Sequence, residues 1–226
     1  MYQKKCVLFD VDGTLVDTEE ATIEALKITM KKLYNKEYTN NELNFAVGLP
    51  GKHTLHKLGI ENIDDAFRAW GEQIREFSDK VRLYPQIEDV LSLLKDKKIK
   101  LGIVTSRYDF EVAEDIVLNK ILHHFDVIVT YNESLKPKPY PDQLLKALNE
   151  FNIDPDDAVY VGDTPYDYEC AKGADVDFIM ANWGEADRKD NFDDKKIKIC
   201  NKPLDLLKYI IGGWMDGISQ YKENAK

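Results

Sequence analysis

The sequence predicts an α/β protein, a doubly wound parallel sheet interrupted by an all-helical segment. Three observations predict it. From Leu83 onward, short apolar runs alternate with stretches of helical period, the pattern of a parallel sheet covered on both faces. Between residues 17 and 80 no convincing strand is visible, and the apolar spacing is helical. The first apolar run, Cys6-Val7-Leu8-Phe9, stands before that helical stretch and reads as a buried strand. The division expected is therefore a core of residues 1–16 and 81–226 around a helical insertion of residues 17–80.

In chain order, a helix is expected from Asp17 or Thr18, either of which can cap it, to about Asn35, with Ile23, Leu26 and Met30 inward. Thr39-Asn40-Asn41-Glu42 reads as a second cap opening a short helix through Phe45. Val47 to His53 contains Gly48, Pro50 and Gly51 and reads as a loop. Helices follow over Thr54–Leu58 and Ile63–Asp79. Tyr84-Pro85 opens a helix running to about Lys97. Strands at Lys100–Thr105, Phe125–Val129, Ala158–Gly162 and Asp177–Ala181 alternate with helices at Phe110–Asn119, Pro141–Phe151 and Tyr166–Gly173. Ile197–Cys200 reads as a short edge strand and Pro203–Ile211 as the last core helix, closed by Gly212-Gly213. The tail from Trp214 to Lys226 has no clear assignment.

Composition bounds the function. Of 226 residues, 43% are hydrophobic and 32% charged, enough apolar content for a packed core. The formal net charge of −10 argues against nucleic acid, which selects basic surfaces. It also supplies no general attraction for anionic substrates, so phosphate recognition needs local cations and donors. The three cysteines, Cys6, Cys170 and Cys200, are far apart and read as buried free thiols. The N-terminus enters the first strand at once, leaving no room for a signal peptide, and no run approaches the roughly 20 apolar residues of a membrane span. A cytoplasmic protein, monomer or homodimer, with no membrane and no nucleic acid as partner, is the expectation.

The chemistry centres on Phe9-Asp10-Val11-Asp12-Gly13-Thr14-Leu15. Residues i and i+2 of an extended chain share a side, so Asp10 and Asp12 can face one small volume where ligands bind in open α/β sheets. Two such carboxylates repel, and a shared cation or proton is the usual remedy. Gly13 permits a sharp turn or close ligand approach. A calcium loop is excluded because the fifth and sixth positions from Asp10 are Thr14 and Leu15. Three further stretches stand at strand exits or on a stiff loop. Thr105-Ser106 can offer hydroxyls and backbone N–H groups to phosphate, or cap a helix. Lys136-Pro137-Lys138-Pro139-Tyr140-Pro141 is an extended loop that can hold a lysine in place. Gly162-Asp163-Thr164-Pro165-Tyr166-Asp167 sets one carboxylate at a strand exit and another in the next helix's first turn.

Taken together, the four stretches resemble the motifs of the haloacid dehalogenase superfamily, phosphatase branch, in their order along the chain. The match covers nearly the whole chain, with core motifs between residues 8 and 174. The resemblance implies a Rossmann-like core with a helical cap, and Asp10 as a nucleophile forming an aspartyl phosphate. It implies Asp12 as general acid/base, Thr105 as phosphate ligand and Lys136 as the lysine that neutralises phosphate and carboxylates, with Lys138 its outward-facing neighbour. Mg²⁺ would be held by the Asp10 carboxylate, the Asp12 backbone carbonyl and Asp163, with Asp167 in the outer shell or binding through water. Substrate contacts are expected from Gly13, Thr105, Ser106 and the cap residues Lys52 and His53. Arg107 can add a charge there, although solvent or the cap is the preferred reading of its direction. His53 and His56, and likewise His123 and His124, are read as structural in preference to metal ligands. The cap would hinge at Asp17–Thr18 and Asp79–Leu83, its Gly48–His53 loop reading the leaving group.

The activity this implies is hydrolysis of a small phosphorylated metabolite, similar to the phosphoglycolate phosphatase group. A phosphosugar mutase or a pyrophosphatase fits the same motifs. Asp12 counts against a dehalogenase, which has no leaving oxygen to protonate. A phosphonatase would need a Schiff-base lysine, and Lys52 lies on the expected loop without an apolar shell. A non-catalytic phospho-ligand or Mg²⁺-binding module is disfavoured by the intact Asp10 and Asp12.

Overall fold

The computed structural model describes residues 4–184 and 197–211. The expected closure of the last helix at Gly212-Gly213 and the tail beyond it lie outside the described residues.

A six-stranded parallel sheet has the order β5-β4-β1-β6-β7-β8. Its strands are β1 (Cys6–Phe9), β4 (Lys100–Val104), β5 (Val127–Val129), β6 (Ala158–Gly162), β7 (Asp177–Ala181) and β8 (Lys198–Cys200). The side-chain alternation of β1 divides the core. Val7 and Phe9 face a cluster with Leu101, Ile103, Val159 and Val161, covered by α5 (Ile87–Asp96), α7 (Ile116–Asn119) and α10 (Leu206–Ile210). Cys6 and Leu8 face the other cluster with Tyr160, covered by α8 (Asp142–Phe151) and α9 (Pro165–Gly173). Burial of both faces explains the continuous apolar runs in the sequence. Cys6, Cys170 and Cys200 are buried free thiols, as expected from their spacing.

The chain turns back at β1: β4 lies on one side of it and β6 on the other. Ligand sites form outside the C-terminal ends of strands at such a reversal, and Asp10, Thr105 and Asp163 all stand there.

Two short strands, β2 (Val16–Asp17) and β3 (Arg82–Leu83), pair antiparallel and carry the chain into and out of the insertion. Their two-residue length left no periodic signal. The two segments expected to hinge thus meet in one ribbon, where an Arg82 Nη2 to Asp17 Oδ2 contact of 3.1 Å crosses it. Between them lie α1 (Glu19–Tyr34), α2 (Asn40–Leu43), α3 (Gly51–Lys57) and α4 (Ile63–Arg75). Ile23, Leu26, Met30, Leu43, Leu55 and Trp70 form a separate apolar cluster within this helical cap.

Several local expectations need correction. Thr18 occupies the N-cap position of α1 but makes no side-chain cap bond, because its hydroxyl donates to Asp12 Oδ1 at 2.6 Å. Thr39 and Glu42 do form the expected reciprocal cap of α2. Helix α3 starts at Gly51, after Pro50, so Lys52 and His53 are helical and not on a loop. Gly51 is required there: a Cβ would lie 2.3 Å from the Phe67 ring. The stretch from Tyr84 turns helical only at Ile87, since Gln86 is left-handed at φ 71°. The expected helix Phe110–Asn119 is broken into α6 (Asp109–Glu114) and α7 at Asp115, whose backbone is extended and whose carboxylate caps α7.

Candidate active site

Asp10 leaves β1 with its amide donating to the Val161 carbonyl at 2.9 Å. The next turn is wound tightly: the amides of Leu15 and Val16 both donate to the Val11 carbonyl at 2.9 Å. Gly13 adopts φ +77°, and a Cβ on it would stand 2.2 Å from Asp163 Oδ2. The first and fourth motifs are therefore in van der Waals contact. Thr14 Oγ1 adds a 3.4 Å bond to Asp163 Oδ1.

The lysine of the proline-rich loop that reaches the carboxylates is Lys138. Its side chain is fully buried, and Nζ donates to Asp10 Oδ1 and to Asp167 Oδ1, each at 2.7 Å. It also lies 5.3 Å from the centre of the Tyr160 ring. Lys136, the residue the sequence reading preferred, is exposed and stacks its ammonium over Tyr140 at 4.9 Å. The reason is the fold of the loop: side chains two apart in an extended segment share a face, but here Lys138 turns inward while Lys136 stays out. Local pattern could not separate the two, since each precedes a proline.

Asp167 is the anchor of the cluster. Thr164 donates to its Oδ2 from the hydroxyl at 2.6 Å and from the amide at 3.1 Å. The Tyr160 hydroxyl lies 2.9 Å from Asp167 Oδ1 and 3.0 Å from the Val104 carbonyl, and donates to one of them. Both Asp167 oxygens are thus committed to protein donors. Tyr160 was not singled out from sequence; Thr164 reads there only as an alternative to Asp163 for capping the helix, and it does cap α9. The one signal for Tyr160 is a phenol at the centre of an otherwise apolar strand, where a buried hydroxyl needs a partner.

Asp10, Asp163 and Asp167 each bring an oxygen within 4.8 Å of the others'. Asp10 Oδ2 is buried and has no hydrogen-bond partner among the described residues, a costly state for a carboxylate. The donor set suits a hard divalent cation, which takes oxygen ligands and keeps some of its waters. Asp10 and Asp163 would hold such an ion, with Asp167 holding Lys138. The Asp12 side chain is not in this group, consistent with the backbone role that the resemblance implies for it.

Burial pushes the Asp10 carboxyl up to about 7, Lys138 opposing and the charges of Asp167 and Asp12 adding to the rise. Burial alone would depress the Lys138 ammonium, but the Asp10 and Asp167 charges outweigh it and hold the amine protonated. Without metal, Asp10 and Asp167 share one ammonium, with the Asp163 carboxylate beside them. The folded state of the metal-free protein then retains a proton on Asp10 that the unfolded chain, titrating near 3.8, has released. Stability from this group is therefore lost as pH rises from about 4 to about 7. The check is thermal unfolding in chelator at pH 5 and pH 8, compared with Asp10→Asn. The wild type should lose stability relative to the variant at the higher pH. Burial lowers the titration of His53 and His124, which contributes an opposite slope that cancels in the comparison.

Gly13→Ala should combine left-handed strain of about 1–2 kcal/mol with displacement of Asp163. The apparent affinity for a divalent cation should fall at least about tenfold, measured by cation-dependent shifts in unfolding temperature.

Thr105 is fully buried at the end of β4, its carbonyl accepting from Gln143 Nε2 at 2.7 Å and its hydroxyl from the Arg107 amide at 3.2 Å. Ser106 Oγ donates to the Gly48 carbonyl at 2.8 Å, a direct link from core to cap. Gly48 has φ +92°, and a Cβ there would meet Thr164 at 3.0 Å. The Gly48 turn of the cap thus lies against both the second and the fourth motif. Around it, Phe67 of the cap packs edge-on to Tyr108 and Phe110 of the core, and His53 packs on Tyr131. Lys52 pairs with Asp64 at 2.6 Å, within the cap.

Arg107 differs most from expectation. Its guanidinium forks onto Asp12, Nε to Oδ2 at 2.9 Å and Nη2 to Oδ1 at 2.8 Å, while Nη1 donates to Asp115 Oδ2 at 2.5 Å. Burial raises the Asp12 carboxyl, but the Arg107 charge and its hydrogen bonds outweigh burial and hold it below the usual range. The sequence held only a partial signal for this pairing: crowded carboxylates call for a cation, and Arg107 stands just after the Thr105-Ser106 strand exit.

A family model described as haloacid dehalogenase-like hydrolase matches residues 7–181. The pyrophosphatase PpaX of Bacillus pumilus is 30% identical over 202 residues, spanning 89% of this chain and 94% of that protein. Among solved structures, a Lactobacillus plantarum protein provisionally assigned as a phosphoglycolate phosphatase superposes with TM-score 0.80 at 27% identity, over 92% of this chain and 99% of that one. A haloacid dehalogenase-like family hydrolase from Streptococcus pneumoniae gives TM-score 0.76 at 26% identity, over 92% and 99% of the two chains. With the four motifs assembled at one end of a parallel sheet, the chain belongs to the haloacid dehalogenase-like hydrolases and is an enzyme of their phosphoryl-transfer branch.

Proposed function

We propose that this enzyme is a cytoplasmic, Mg²⁺-dependent phosphatase that cleaves a small phosphorylated metabolite through an aspartyl phosphate on Asp10. The single observation that carries the reading is the buried Asp10–Lys138–Asp167 cluster beside Asp163, in which Asp10 Oδ2 has no hydrogen-bond partner among the described residues. A nucleophile, a fixed ammonium and a second carboxylate in one dry site are the parts that phosphoryl transfer requires.

In this mechanism the Asp10 carboxylate attacks phosphorus in line with the leaving oxygen. Covalent capture splits one difficult displacement into two easier ones. Lys138 neutralises the charge that develops on the phosphoryl oxygens, and its two aspartate partners keep it protonated and immobile. The Thr105 hydroxyl donates to those oxygens. Asp12, which takes up a proton from solvent once it leaves the Arg107 fork, gives it to the leaving oxygen and then takes one from the water that attacks the aspartyl phosphate. When bound, Mg²⁺ supplies positive charge against the transferring phosphoryl group and the Asp10 carboxylate. Residues 17–80 act as a cap whose closure excludes bulk water.

Two substrate classes stand side by side. The likeness to a protein provisionally assigned as a phosphoglycolate phosphatase supports a small phosphomonoester. The likeness to PpaX pyrophosphatases supports pyrophosphate about equally well. The test is phosphate release with Mg²⁺ from phosphoglycolate, pyrophosphate and hexose phosphates. Release that chelator abolishes supports hydrolysis, and the best substrate names the class. Interconversion of hexose phosphates without net release would instead identify a mutase.

A further inference from the structure

The Asp12–Arg107–Asp115 chain carries a consequence for substrate choice, which rests on the phosphoryl-transfer reading above. Asp115 is fixed: its Oδ1 accepts from the amides of Val117 and Leu118, each at 2.8 Å, at the start of α7. Arg107 is fixed at its backbone as well, its amide donating to Thr105 Oγ1 at 3.2 Å and its carbonyl accepting from Tyr131 at 2.8 Å. The guanidinium thus has one immobile partner, Asp115, and one free to exchange, Asp12.

Arg107 and Thr18 fill most of the acceptor positions of the Asp12 carboxylate. Oδ1 accepts from Thr18 and Arg107, and Oδ2 accepts from Arg107. A carboxylate forked onto a guanidinium holds a proton poorly, so Asp12 serves proton transfer best once it leaves the fork. Its departure leaves a largely buried guanidinium with Asp115 alone and opens its Nε and Nη2 donors, which are costly to leave unpaired. An anion is the partner that best replaces a carboxylate there. The leaving portion of an alcohol ester provides none. A phosphate or carboxylate on that portion does, and both match the planar fork of arginine. The chain's net charge of −10 supplies no general attraction for such an anion, so selection must be local.

We propose that Arg107 is a specificity-determining residue whose guanidinium passes from Asp12 to an anionic group on the leaving portion of the substrate, favouring substrates that carry a second anion. Pyrophosphate and carboxylate-bearing phosphomonoesters share that chemistry. Binding such a substrate and releasing Asp12 for proton transfer are one exchange of partners, in which the charge around Arg107 is conserved.

The experiment compares kcat/KM for three substrates: pyrophosphate, 2-phosphoglycolate and 2-hydroxyethyl phosphate, the last a near-isostere of the second that lacks the anion. Wild-type enzyme should prefer one or both anionic substrates over 2-hydroxyethyl phosphate by at least about tenfold. Arg107→Gln should collapse that ratio, and Arg107→Lys, which keeps the charge but not the fork, should retain part of it. Which anionic substrate loses more identifies the group that Arg107 reads. An Arg107→Gln ratio equal to wild type, or a wild-type enzyme without preference, would overturn the proposal. In parallel, calorimetric binding of methylenediphosphonate and methylphosphonate in the presence of Mg²⁺ should show wild-type discrimination that Arg107→Gln loses. That measurement needs no turnover. Absence of phosphate release from every substrate would count against the phosphatase reading, while the calorimetric ratio would still decide the role of Arg107.

Discussion

Asp10→Asn is expected to lower kcat by at least about 10⁴-fold on every substrate the wild type hydrolyses, a loss of the size seen when a covalent nucleophile is removed. The effect should appear in kcat and persist at saturating substrate and saturating Mg²⁺. The fold should survive. Lys138 keeps Asp167 as its partner at 2.7 Å, and the amide that replaces Asp10 adds no charge to a site already crowded with carboxylates. Circular dichroism and thermal unfolding would confirm that the variant is native. A variant retaining a tenth or more of wild-type kcat would exclude Asp10 as the attacking group.

The second large effect separates two lysines that the sequence leaves nearly equivalent. Lys138→Met should cost about 3–5 kcal/mol of stability, the range for removing one member of a buried ion pair. It leaves Asp10 and Asp167 facing each other without a cation. Turnover should fall by at least about 10²–10³, since the positive charge against the phosphoryl oxygens is gone. Lys136→Met, by contrast, should stay within about 0.5 kcal/mol of wild type, because its ammonium only covers the exposed Tyr140 ring. Chemical denaturation of the two variants in parallel checks the stability difference, and steady-state kinetics checks the rest. Equal effects from both substitutions would mean that the loop holds its lysines differently from the arrangement described above.

The contrast between these lysines shows what the sequence could carry. Strand exits were legible because burial of both sheet faces makes apolar runs that stop abruptly, so Asp10, Thr105 and Asp163 announce their places. The helical insertion was legible from its period. Lys138 was not, because a proline-rich loop has no period, and only its path through the folded core decides which side chain turns inward. The orientation of Arg107 was hidden for a related reason. Its partner Asp115 lies eight positions on, in a stretch whose apolar spacing continues as though one helix ran through it. The break there appears only once the Asp115 carboxylate is needed both to cap α7 and to hold Arg107. Likewise, Thr18 reads as a helix cap until Asp12 is placed beside it and claims its hydroxyl. In each case a polar side chain had two possible local uses, and a distant charge selected between them.

The most direct measurement is capture of the covalent intermediate. Enzyme mixed with Mg²⁺ and its best substrate would be quenched within a turnover, reduced with borohydride and digested for mass spectrometry. Reduction converts an aspartyl phosphate to homoserine and leaves free carboxylates unchanged. The account predicts homoserine at position 10, dependent on substrate and absent from Asp10→Asn. Homoserine at another aspartate, or none while the wild type turns over and the intermediate is kinetically accessible, would contradict it.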